Sequence, residues 1–119
     1  MILADNSVWV DHLRAANPRF RRLLLEGRIL MHPFVLGEIA CWNLRQRTMI
    51  LEALRELPSA TLAAHDEVLR LVEERHLWGM GIGWIDTHLL ASALLTGCGL
   101  WTLDRRLRRA TARLHADYH

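Results

Sequence analysis

The apolar positions of this chain change their period repeatedly, and each change marks an element. Met1 to Ala4 is an unbroken apolar run, the pattern of a strand buried on both faces. The run stops on Asp5. Asn6-Ser7 then offers a helix cap, and Val8, Trp9, Val10 and Leu13 follow at helical spacing to about Arg14. Asn17-Pro18 pairs a cap with a favoured first-turn proline; Phe20, Leu23 and Leu24 make the face of a second helix, which runs to Glu26 and ends at Gly27. Arg28 to Met31 reads as a second short strand. His32-Pro33 opens a helix on which Phe34, Val35, Ile39 and Trp42 form one apolar stripe, with Glu38 one turn on from Phe34.

The second half repeats the alternation. Ile50, Leu51, Leu54 and Leu57 define a helix over Arg47 to Leu57, which Pro58 stops. Ser59 to Ala63 is a weakly signalled strand. His65 to Leu77 is amphipathic, with Val68, Leu71 and Val72 inward and Glu67, Arg70, Glu73 and Glu74 outward. Gly79, Gly81 and Gly83 make a flexible loop. Trp84 to Thr96 is helical and almost wholly apolar, which predicts a buried helix ended by Gly97 to Gly99. Leu100 to Leu103 is another strand, again closing on an aspartate, Asp104. An Arg-rich helix spans Arg105 to Arg113, and the last residues suit a short edge strand. Strands alternating with helices predict a single α/β domain over 1–119: a short parallel sheet of four or five strands with helices on both faces.

Composition narrows the class. At 119 residues and 51% hydrophobic, with 24% charged, the chain suits one globular domain with a real core. No apolar run reaches the length of a membrane span, and Asp5 interrupts the N-terminal run that a signal peptide would need, so a cytoplasmic protein without a membrane partner is expected. Cys41 and Cys98 form no ligand or disulfide pattern and are read as small buried hydrophobes. All fifteen basic residues are arginine, which removes lysine-dependent chemistry and favours phosphate recognition.

Four acids stand in apolar company. Asp5 and Asp104 each end a strand, Glu38 lies within an apolar helix, and Asp86 begins the buried one. Each aspartate also suits a plain helix cap. Buried carboxylates need compensation, and converging ones repel. With no lysine and few arginines adjacent in sequence, a divalent cation is the natural compensator, and oxygen ligands favour Mg²⁺ or Mn²⁺ over zinc. The open edge of a parallel sheet, at the C-terminal ends of its strands, is where such ligands sit. The glycine run lacks the Gly-Lys-Ser/Thr element of a phosphate loop. The histidines lack ligand spacing, with His12 alone a candidate to face the acids; Trp9, Trp42, Trp84 and Trp101 are expected in the core.

Four segments resemble the PIN-domain family, in its VapC-type toxins: Ile2-Leu3-Ala4-Asp5-Asn6-Ser7-Val8-Trp9, His32-Pro33-Phe34-Val35-Leu36-Gly37-Glu38-Ile39-Ala40, Ile85-Asp86-Thr87-His88-Leu89-Leu90-Ala91-Ser92-Ala93 and Leu100-Trp101-Thr102-Leu103-Asp104-Arg105-Arg106-Leu107. The order covers nearly the whole chain. The resemblance implies a Mg²⁺-dependent ribonuclease, usually dimeric and held inactive by a cognate VapB-like antitoxin. It implies Asp5 and Asp86 as direct ligands, with Glu38 and Asp104 completing the site. Asn6 stands where the family usually carries Thr or Ser, and Ser7 beside it supplies a hydroxyl. Arg105, Arg106, Arg108 and Arg109 follow Asp104 and would steer RNA phosphates, or simply form a solvated helix face. Three rivals remain. An aspartate-nucleophile phosphohydrolase wants a second Asp where Ser7 stands, and a receiver domain wants a lysine. A catalytically impaired RNA- or antitoxin-binding module is the non-enzymatic one.

Overall fold

The computed structural model describes residues 1–118. Its central strand is the N-terminal one. β1 (Ile2–Ala4) lies between β2 (Ile29–Leu30) and β3 (Gly99–Trp101), with every pairing parallel. Leu3 stands opposite Leu30 on one side and Leu100 on the other, and Ala4 opposite Trp101. Single parallel bridges extend the sheet at both edges: Met31 with Ser59 and Leu100 with Asp117. The expected strand at Ser59 to Ala63 is thus reduced to one bridge, and the terminal edge strand to another.

Seven helices join these strands: α1 (Asn6–Arg14), α2 (Pro18–Leu25), α3 (Pro33–Ala40), α4 (Arg47–Arg55), α5 (His65–Arg75), α6 (Trp84–Thr96) and α7 (Arg105–Arg113). Local chemistry explains their ends. Asn17 caps α2 by accepting from the Phe20 N–H, with Pro18 in the first turn. His32 caps α3 through Nδ1, 3.0 Å from the Phe34 nitrogen. Burial, with His88 nearby, pulls the His32 pKa down to about 4, which keeps that imidazole a neutral acceptor. α6 stops where Gly97 turns left-handed at φ 74°.

Thr87 through Ala93 are buried without a break, so α6 is surrounded by protein as its apolar sequence predicts. Around the sheet, Trp9 meets Phe20 edge-on at 4.7 Å, and Leu3, Ile29, Leu89, Leu100 and Leu107 are fully enclosed. Burial of each such side chain contributes about 1.5–3 kcal/mol. Some expectations about surroundings need correction. Cys41 is exposed and Cys98 half-buried. Trp84, expected in the core, is 38% exposed because it occupies the first turn of α6, before that helix dives between its neighbours.

The chain leaves β1 to form β2 on one side and returns to form β3 on the other. The strand order therefore reverses at the C-terminal ends of β1 and β3, the position of the binding crevice in open parallel sheets. Asp5 and Thr102 are the next residues after those two strand ends.

Candidate active site

Asp5 follows β1 directly, and its backbone N–H donates to the Trp101 carbonyl at 3.0 Å, continuing the β1–β3 ladder by one step. It is itself the cap of α1, accepting from the Val8 N–H at 3.2 Å; the helix thus begins at Asn6, one residue earlier than a cap at Asn6-Ser7 would place it. The Ser7 hydroxyl donates to Oδ1 and the Thr102 hydroxyl to Oδ2, each at 2.5 Å. These hydroxyls are fixed in turn: Ser7 Oγ accepts from the Leu103 N–H at 2.8 Å, and Thr102 Oγ1 from the Asp104 N–H at 3.0 Å. Asp5 is 4% exposed, and burial raises its pKa against the opposing pull of the Ser7 and Thr102 hydroxyls and the Val8 and Ser7 backbone.

The other acids reach this point from different elements. Asp86 occupies the first turn of α6 and accepts from the Gly83 backbone. Its pKa is raised by burial first, and further by the negative charges of Asp5 and Asp104, so these three carboxylates share one field. Asp104 caps α7, its Oδ1 accepting from the Arg106 and Leu107 N–H groups at 2.9 Å each. Asp104 is exposed, and Asp86 and Glu38 are half-buried; of the four acids expected off the solvent face, only Asp5 is fully enclosed. Asp104 caps α7 at the surface, whereas Asp5 caps α1 from within the core. The Glu38 carboxylate, on α3, has no ion-pair or hydrogen-bond partner among the described residues. Asp5, Asp86 and Asp104 are thus linked through their mutual charges, and Glu38 stands on α3 as a half-buried carboxylate.

Sequence reasoning missed Thr102. Parallel register was the available signal: if Ala4 pairs with Trp101, the residue after each must also be a neighbour. Asn6 does not support Asp5. Its side-chain oxygen is buried with no hydrogen-bond partner, and Ser7 supplies the hydroxyl instead. His12 packs on Phe20 and accepts from the Asn17 N–H, away from the acids.

The donor set suits a hard divalent cation. Asp5 and Asp86 are desolvated carboxyls, and no arginine is among the groups that shift either of them. The orphaned Asn6 oxygen adds an unmet acceptor next in the chain to Asp5. No three acidic, histidine or cysteine side chains among the described residues are yet drawn together as a metal cage. These are acids that repel one another and lack the charge that would close them up.

A family model described as the PIN domain matches residues 2–113. The chain is also similar to Ribonuclease VapC32 of Mycobacterium tuberculosis, in strain CDC 1551 / Oshkosh and in strain ATCC 25618 / H37Rv. Each is 48% identical over 113 residues, which cover 94% of this chain and 91% of the relative.

Proposed function

The chain belongs to the PIN-domain family, among its VapC-type ribonucleases, and from that premise we propose that residues 1–119 form one PIN domain acting as a Mg²⁺- or Mn²⁺-dependent endoribonuclease toxin, cytoplasmic, dimeric and neutralised by a cognate VapB-like antitoxin. The observation that carries this reading is the shared field of Asp5, Asp86 and Asp104 at the strand-order reversal, with no arginine among the groups that shift Asp86. Asp5 and Asp86 would hold the metal directly, and Asp104 and Glu38 would complete its surroundings. A divalent cation bound there supplies activation of a water and charge stabilisation at the scissile phosphate.

The protein's own part is positional. Ser7 and Thr102 clamp both oxygens of Asp5 and favour its ionised form, against a burial that disfavours it. α6 sets Asp86 opposite, and the cap geometry of α7 holds Asp104 at the rim. The antitoxin segment lies along the apolar groove of about 220 Å³ that Trp9, Leu13, Leu24, Ile50, Leu54 and Leu57 line.

The test is cleavage of RNA by the purified protein with Mg²⁺ or Mn²⁺. Cleavage that stops on chelation, and that the protein encoded beside this one suppresses, is expected. RNA binding without cleavage under any divalent metal selects the impaired-module reading.

A further inference from the structure

Four arginines follow Asp104, and as a charged helix face they would be equivalent. Their surroundings are not. Arg108 is tied back to the protein, its guanidinium donating to the Thr102 carbonyl at 3.2 Å. Arg106 instead crosses from the first turn of α7 to the loop that feeds α6, and its stem lies against Gly81. A Cβ built on Gly81 would stand 2.7 Å from Arg106 Cδ, 3.1 Å from Nε and 3.3 Å from a terminal guanidinium nitrogen. A Cβ there would displace the outer Arg106 side chain from this position, at a backbone whose φ of +78° itself favours glycine. The next glycine upstream provides the comparison: Gly79 has nearly the same left-handed backbone, φ +75° against +78°, with nothing within 4 Å of its Cβ position.

The two ends of this contact are the segments that carry the acids. Arg106 lies two residues past Asp104, and Gly81 lies five before Asp86. Yet the Arg106 guanidinium has no ion-pair partner among the described residues, and no arginine is among the groups that shift Asp86. The charge is held at the rim of the acidic crevice without neutralising it.

We propose that Gly81 is a positioning residue whose missing side chain seats Arg106 across the rim, and that Arg106 is the specific contact for an RNA phosphate adjacent to the scissile one. The assignment rests on the ribonuclease reading and refines it. A planar fork pinned along its stem gives up little freedom on binding a phosphate, whereas the untethered arginines of α7 contribute general attraction only.

The experiment measures binding of a fluorescein-labelled single-stranded RNA oligonucleotide to the full chain in chelator, over a range of salt. Cleavage kinetics of the same variants are read separately. Arg106→Gln is expected to weaken RNA binding on the order of tenfold, as loss of one charge-assisted hydrogen bond implies. It should also make the log–log salt slope shallower by about 0.7, the value for one single-strand phosphate contact. Arg109→Gln, which removes the same charge from the same helix, should have much the smaller effect. Gly81→Ala should reproduce the Arg106→Gln loss, add nothing to it in the double variant, and raise KM with kcat retained. Gly79→Ala, with the same backbone strain, should leave RNA affinity unchanged. Equal losses for Arg106→Gln and Arg109→Gln overturn the proposal. So does Gly81→Ala weakening binding as much in the Arg106→Gln background as in the parent. A parent that binds RNA through Arg106 but never cleaves it contradicts the ribonuclease reading and leaves this contact standing.

Discussion

At the scale of single residues, the site turns on Asp5, a carboxylate enclosed by protein yet kept ready to ionise by two hydroxyls. Burial has raised the pKa values of Asp5 and Asp86, so in metal-free protein folding favours their protonated forms. That contribution is full below the unfolded value of 3.8 and is lost as pH rises through the folded values. Asp5→Asn should therefore raise the melting temperature at neutral pH in chelator, while abolishing both RNA cleavage and the stabilisation that Mn²⁺ gives the parent. The Mn²⁺-induced shift itself should fade on acidification at a pH above the ordinary aspartate range, followed by thermal melts across pH. Thr102→Val keeps shape but removes the donor to Oδ2, so the Asp5 pKa should climb further. A loss of about 10- to 100-fold in metal affinity is expected, the size typical of a partner that orients a ligand, and titration calorimetry with Mn²⁺ reads it.

At the scale of elements, each acid is delivered by a chain reversal that also has a structural duty. Asp104 caps α7 with two hydrogen bonds from backbone N–H groups. Asp104→Ala should cost about 1 kcal/mol of stability as well as activity. Asp104→Asn keeps an acceptor and should hold the melting temperature while cleavage falls; equal stability and equal activity in both variants would reduce the residue to a bystander. Elements were legible in the sequence where periodicity was strong and capping explicit. The spans Trp84–Thr96 and Arg105–Arg113 are those the pattern predicts, because an all-apolar face and an Asp cap leave few alternatives. Boundaries failed where one residue serves two purposes. Asp5 ends a strand and caps a helix, so the start of α1 moved to Asn6. Ser59 makes a bridge, and the strand expected from there to Ala63 did not form, because Ala60 is the last residue to bond back to Met31. Asp5 and Asp104 could be anticipated together from the ends of paired strands, and Asp86 from its place at the start of the buried helix. Glu38 was legible only as a carboxylate within an apolar helix, since helical period fixes its face on α3 but not what that face meets. The Arg106–Gly81 contact was hidden as well, being a packing of side chain on loop with no sequence period.

At the scale of the whole molecule, a small α/β fold divides its surface by chemistry. The acidic crevice lies where strand order reverses, and a groove lined almost wholly by apolar residues runs between α1, α2 and α4. Ala53, an exposed residue within that groove, offers a clean probe. Ala53→Arg should block suppression by the antitoxin while leaving fold and metal-dependent cleavage intact, read by pull-down and by RNA cleavage with the antitoxin added. Retained suppression would place the antitoxin on another face. Sedimentation of the purified parent should return a dimer mass, and a monomer at all concentrations would contradict the assembly proposed. The ribonuclease reading requires a cation held between the carboxylates of Asp5 and Asp86. Crystals of the parent soaked in Mn²⁺ and measured at the manganese absorption edge test that directly. An anomalous peak within ligand distance of Asp5 and Asp86, lost in Asp5→Asn crystals, is the predicted result; Mn²⁺ bound elsewhere, or a peak unchanged by Asp5→Asn, would contradict it.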